Sequence, residues 1–332
     1  MSADLSAALL GNLLSPAVLF FVLGVIATLG RSDLRFPEPL YTTLTIYLLV
    51  AIGFKGGVAL EQAGLSSVAV PAIAAMALGA LIPLWAYPFL RVLGRFSSAD
   101  AAGIAAHYGS VSAVTFIAAT NFLRLAEVPY EEFAPALLAV MEAPAIVVAI
   151  TLGKLYSPGD SGGDSWSTIL RRTIHESVFG RSVLLLLGSM VIGWASGPRG
   201  AESTAAFFVA PFQGILSLFL LEMGMVAARR LPDLRKAGPF LMAWGIAAPL
   251  LHAIVGVLVA HAAGLSMGGA VLLGTLAASA SYIAAPAAVR LALPEANPTY
   301  SLTAAIGITF PFNLAIGLPL YLEFARKVYG SP

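Results

Sequence analysis

Apolar residues run in long blocks along this chain, separated by short charged or Pro/Gly-rich segments. A helix needs about 20 mostly apolar residues to cross a bilayer core. Ten blocks approach that length: 15–30, 40–60, 67–92, 98–124, 134–155, 178–196, 205–228, 238–263, 268–291 and 300–325. Spans one and six are short, and spans four and nine are rich in Gly, Ala and Ser with polar residues at their centres. The one long polar connection is YSPGDSGGDSWSTILRRTIHES, residues 156–177. Its Gly/Ser/Asp half reads as a flexible linker, and WSTILRRTIHESVF predicts a short amphipathic surface helix.

Composition sharpens the pattern. Of 332 residues 59% are hydrophobic and 11% charged, and the mean hydropathy is +0.89; soluble domains carry about 25% charged residues. The expected class is an all-α polytopic membrane protein. No basic stripe of the kind that binds nucleic acid is present. The absence of cysteine excludes disulfides, thiol catalysis and thiolate metal sites. Nothing basic precedes the first apolar run and RSDLR follows it, the reverse of a cleavable signal peptide. That run is expected to stay as the first helix.

Charge sets the orientation. With loops numbered alternately, thirteen of the eighteen Lys and Arg fall on one side, Arg91, Arg171, Arg229 and Arg290 among them. Arg124, Arg199, Arg326 and Lys327 fall on the other, and Lys55 lies within a span. By the positive-inside rule the richer side is cytoplasmic. This puts both termini outside the cytoplasm, in the cell inner (plasma) membrane, with the linker in the cytosol.

Five spans per half would insert the second half upside down, and the halves echo one another near an offset of 167–169 residues. GFKGGVA around Lys55 falls on LEMGMVA around Glu222, VAVPAIAA near Pro71 on AGPFLMAW near Pro239, and MEAPAIVVAI with Pro144 on TFPFNLAIGL with Pro311. Ser110/Ser112 falls on Ser279/Ser281. The organisation predicted is a first five-helix repeat over 1–155, the cytosolic linker over 156–177, and a second, inverted repeat over 178–332. Inverted repeats are a mark of secondary transporters.

Spans four and nine read as discontinuous helices. Span four is expected as a half-helix 98–108, a break at Gly109 and a second half from near Ser110. Span nine is expected as 268–278, a break at Ser279–Ala280 and a second half from near Ser281. Serine caps helix N-termini well, and two such N-termini facing each other at mid-membrane make an anion site that needs no Arg or Lys. The carbonyls ending the first halves suit a hard cation such as Na⁺. One Ser-x-Ser in a membrane helix favours simple packing; two at equivalent places favour binding. Glu142, followed by Ala143-Pro144, lies inside span five, where a carboxylate is functional by default. Thr309 and Asn313 in the matching region are neutral oxygen donors for a cation. Lys55 and Glu222 should sit in opposite halves of the bilayer as anchors, not as a pair. His107 is open between a packed neutral histidine, a pH sensor and a neighbour of the site, whereas Asp100 and Arg290 lie near solvated helix ends. No enzyme motif is present: no His-Glu-x-x-His, no phosphate loop, and no nucleophile context around His252 or His261.

The strings YGSVSAVTFIAA (108–119), GFKGGVAL (53–60), MEAP (141–144) and SASYIAAPAAVR (279–290) closely resemble the sodium-dependent bicarbonate transporter family, in order and over essentially the whole chain. The resemblance implies ten transmembrane helices as two inverted five-helix repeats, arranged as gate and core domains. It implies Na⁺-driven bicarbonate uptake with Na⁺ as coupling ion and no other cofactor, a homotrimer, and regulation by a cytosolic PII-like protein. Carried onto this chain, Gly109, Ser110, Val111 and Ser112 with Ser279, Ala280 and Ser281 would bind bicarbonate through N–H groups and hydroxyls. From their expected placement rather than from the resemblance, Thr115, Glu142, Asn313 and Thr309, with the carbonyls at the breaks, would hold Na⁺. The alternatives are a Na⁺-coupled transporter of another small mono-anion and a non-transporting bicarbonate sensor with the same fold.

Overall fold

The computed structural model describes residues 10–156, 171, 175 and 179–330. The described elements are helical. α1 is Pro16–Leu29, α2 Glu38–Ala63, α3 Leu65–Val92, α4 Ser98–Gly109, α5 Ala113–Leu125 and α6 Ala134–Leu155. The second half gives α7 Arg181–Phe208, α8 Phe212–Arg230, α9 Leu234–Ala262, α10 Met267–Ala278 and α11 Ala284–Ala292. The last helical segment, α12, is Pro298–Tyr329. Eight segments among the described residues are long and apolar enough to cross a membrane, counting α4–α5 as one. Predicted spans one and nine are the exceptions: α1 has 14 residues, and span nine is divided between α10 and α11.

Caps explain where the helices begin. Ser15 starts α1 by accepting from Val18 N–H, with Pro16 pre-set for the first turn. Ser97 and Ser266, 169 positions apart, start α4 and α10 in the same way, with side chains accepting from Asp100 N–H and Gly269 N–H. Both helices then run 12 residues and end in an extended serine, Ser110 (φ −79°, ψ 167°) and Ser279 (φ −84°, ψ 164°).

Some boundaries differ from the sequence pattern. The sixth span was expected to end at 196, and Gly197 (φ 58°, ψ −161°) does leave helical geometry there; a further helical stretch then runs from Pro198 to Phe208. Span seven therefore starts at Phe212, not 205. The break in span four begins one residue later than Gly109, which remains helical. The predicted surface helix of the 156–177 linker lies outside the described residues, apart from Tyr156, Arg171 and His175.

The helices associate in two groups. α1, α2, α7 and α8 pack mainly on one another, as α1 with α8 and α2 with α7. α3 to α6 and α9 to α12 form the rest. The first group is held by close backbone approach at glycine. A Cβ on Gly24 would collide with Leu221 O, and one on Gly224 with Phe21 O. The second crossing repeats this, with Gly57 against Met190 O and Gly193 against Phe54 O. Small residues that admit a neighbouring backbone are the usual device of membrane helix packing. The second group encloses α4, α5 and α10: α10 is buried from Gly268 to Ala278, and α5 is buried along most of its length. Exposed large apolar side chains sit instead on the outer helices, such as Leu19 and Leu23 of α1, Ile73 of α3 and Ile192 of α7.

Candidate functional site

The two breaks meet and hold each other. Ser110 ends α4 with its N–H bonded to Ala106 O at 3.1 Å. Ser112 then caps α5, its Oγ accepting from Thr115 N–H at 3.2 Å, while its own N–H donates to Ser279 Oγ at 2.8 Å. On the other strand, Ser279 Oγ donates to Leu276 O at 2.8 Å, and Ser281 N–H donates to His107 O at 2.7 Å. Ser281 Oγ accepts from Ala285 N–H at 3.3 Å in the first turn of α11. The N-termini of α5 and α11 therefore open next to each other inside the protein. First-turn N–H groups lack partners within their helix, and the aligned peptide dipoles add positive charge there.

A small cavity lies between these N-termini, lined by Val111, Ser112, Ala113, Glu142, Ser281, Tyr282 and Ile283. It leaves about 10 Å³ for the centre of a water-sized body, room for about one water or one small ion. Glu142 comes from the middle of α6, where Pro144 follows it. Its side chain is 3% exposed and makes no hydrogen bond or ion pair with the described residues. A buried carboxylate without a partner is costly, and this one faces the cavity.

Of the residues singled out in the sequence, Val111, Ser112, Ser281 and Glu142 are brought together around this space. Ser279 links the two breaks, and Ala280 is buried in the apolar cluster that also contains Tyr108. Gly109 is turned towards Pro83 and Ala145, where a Cβ would press on the proline ring. Ser110 Oγ is buried with no partner. Thr115 gives its N–H to the Ser112 cap, and its side chain is buried. Thr309 Oγ1 lies 2.7 Å from Tyr108 Oη and donates to Gly245 O at 2.7 Å. Asn313 donates from Nδ2 to Ala278 O at 2.9 Å and accepts from Tyr321 Oη at 2.6 Å. Thr309 and Asn313 thus reach the site through the helices they hold; both sit in or beside π-helical turns, Thr303–Thr309 and Asn313–Gly317.

Three lining residues were not anticipated: Ala113, Tyr282 and Ile283. For Tyr282 and Ile283 the signal was weak because α11 begins only at Ala284, three residues later than the expected start near Ser281. That delay places Tyr282 and Ile283 in the break itself. The Tyr282 hydroxyl is buried near the Ser112 side chain, and its ring meets Phe310 edge-on.

A wide cleft of about 590 Å³ approaches from the end of α5, between α2, the 126–133 loop and the α7–α8 turn. Lys55, Asn121, Arg124, Glu127, Glu132 and Gln213 line it, and Phe116 forms part of its wall four residues beyond Ser112. Burial, then the nearby Glu132, raises the Tyr130 hydroxyl there above its ordinary pKa against the opposing pull of Arg124, so it is neutral at physiological pH. Glu222 does not pair with Lys55, as expected; it binds Arg229 at 2.7 Å on the same helix.

A model of the Na⁺-dependent bicarbonate transporter superfamily matches residues 16–326. The chain belongs to this family. No curated protein matches it at a significant level. The match covers the helical segments that build both breaks, Glu142 and the cleft. With its apolar helices, the family member is a multi-pass membrane protein.

Proposed function

We propose that the protein is a Na⁺:bicarbonate symporter that works by alternating access. The observation that carries this reading is the juxtaposition, around one cavity, of two helix N-termini and an unpartnered carboxylate. The N–H groups and the Ser112 and Ser281 caps suit an anion. Glu142, assisted by Thr115 and break carbonyls, suits Na⁺, which would cancel the carboxylate charge and add positive charge beside the anion. Thr309 and Asn313 take positioning roles, Asn313 by fixing the Ala278 carbonyl at the end of α10. Bicarbonate has four heavy atoms and needs more room than the enclosed cavity offers, so α1, α2, α7 and α8 act as the gate against which the remaining core moves.

The inverted repeat and its division into 1–155, 156–177 and 178–332 are part of this proposal. Supporting them, the glycine contacts of α1 with α8 and of α2 with α7 match at offsets of 167 and 169. Ser112–Ser279 and Trp85–His252 each join positions 167 apart. The orientation with both termini outside follows from the Lys/Arg asymmetry. A homotrimer and a PII-like regulatory partner belong to the reading through the sequence resemblance alone.

Uptake of radiolabelled bicarbonate by the double variant Ser112→Ala/Ser281→Ala tests the site. The reading expects uptake to fall at least about tenfold, the worth of one charge-assisted hydrogen bond, in protein that elutes as wild type. Unchanged affinity and uptake would remove these serines from the anion site. A different mono-anion as substrate would show as its competition at lower concentration than bicarbonate.

A further inference from the structure

On the other side of the breaks from the Lys55 cleft lies a second cavity, of about 140 Å³. The start of α4, the end of α11 and the 294–301 segment enclose it, with Asp100, Gly103, His107, Arg290, Asn297 and Ser301 in its wall. Asp100 is committed to the rim: one oxygen accepts from Asn297 N–H at 2.7 Å and the other from Ser97 Oγ at 2.7 Å. Two groups are left over. Arg290 is exposed and pairs with no carboxylate among the described residues. His107 is 1% exposed, and its Nε2 is buried with no partner.

The histidine tautomer follows from its other nitrogen. Nδ1 sits 2.7 Å from Gly103 O, which can only accept, so Nδ1 carries the proton. In the neutral ring, Nε2 is then an acceptor without a partner among the described residues, on a side chain that lines the cavity. A guanidinium and a lone-pair acceptor together match an anion that also carries an O–H. Bicarbonate is such an anion; nitrate and chloride are not. The same residue reaches the central site through its backbone, since His107 O holds Ser281 N–H.

We propose that this cavity is a second bicarbonate subsite, in which Arg290 holds the charged oxygens and His107 Nε2 accepts from the anion's hydroxyl. The inference rests on the bicarbonate reading above and names a station on the same path, at the end that the charge asymmetry assigns to the cytoplasm. Its 140 Å³ accommodates a four-atom anion that the cavity between the breaks does not. His107 discriminates there by requiring a proton on the ligand, which backbone N–H groups cannot do.

The experiment uses full-length protein in membrane vesicles of the two orientations, with radiolabelled bicarbonate exchange measured from each face. Arg290→Gln is expected to raise the half-saturating concentration about tenfold from the Arg290 face, and to leave the value from the Lys55 face within about twofold. His107→Asn should do the same and also narrow the preference for bicarbonate over nitrate at that face. Because Arg290 is exposed, its variant tests the proposal even where the His107 variant fails to fold. Equal values for wild type and Arg290→Gln from the Arg290 face would overturn the subsite, as would an equal rise on both faces, which marks a structural effect. Wild-type vesicles without Na⁺-dependent bicarbonate flux would overturn the transport reading instead, a result separable from the other two.

Discussion

At the level of single residues, the breaks separate a serine that joins them, Ser279, from Ser112 and Ser281, which line the cavity. Ser279 Oγ is the partner of a buried N–H, that of Ser112. Ser279→Ala strands that donor and should cost about 1–3 kcal/mol, read as a lowered midpoint in thermal or denaturant unfolding. Ser110→Ala removes a hydroxyl that has no partner and should be near neutral in the same assay. Equal losses would contradict the assigned hydrogen bonds. Glu142 makes the opposite case. Glu142→Gln removes an uncompensated buried charge, so Na⁺-free protein should melt at the same temperature or higher. The stabilisation that Na⁺ gives the wild type by binding the folded state should vanish, along with Na⁺-dependent uptake. A preserved Na⁺ shift would exclude Glu142 as a ligand. Ser112, Ser281 and Glu142, which meet around the cavity, were legible as polar groups within apolar spans, whereas Ser110 does not line it. Gly109 was misread: a glycine beside a break suggests a turn, but here its missing Cβ admits Pro83. That contact joins residues 26 apart, and no local pattern reports it.

Among the elements, helix type was readable from apolar block length, and eight of the ten blocks match segments, among the described residues, long and apolar enough to cross a membrane. The caps Ser97 and Ser266 were not singled out in the sequence, and α5 starts after Ser112, slightly later than expected. Gly197-Pro198 reads as a terminus, and Gly197 does leave helical geometry there, but the apolar pattern did not mark the further helical stretch that follows to Phe208. The π-helical turns of α12 have no periodicity signal of their own. The glycine crossings supply a test at this scale. Gly193→Ala places a methyl group against Phe54 O, and should destabilise by about 1–3 kcal/mol through overpacking. Gly188→Ala, on the same helix with open space around it, should stabilise by about 0.5–1 kcal/mol. A similar response from both, measured by unfolding, would contradict the close approach of α2 and α7.

For the whole molecule, the site lies between a wide cleft on the Lys55 side and a smaller cavity on the Arg290 side, with the paired breaks as the divide. The halves provide matching caps on α4 and α10 and matching glycine contacts, as the proposed inverted repeat requires. The central claim is that Na⁺ and bicarbonate cross together through this divide. Its most direct test is radiolabelled bicarbonate uptake into proteoliposomes with and without an inward Na⁺ gradient. The account predicts accumulation above equilibrium only with the gradient, abolished when the gradient is dissipated. Uptake indifferent to Na⁺, or none in correctly folded protein, would contradict it.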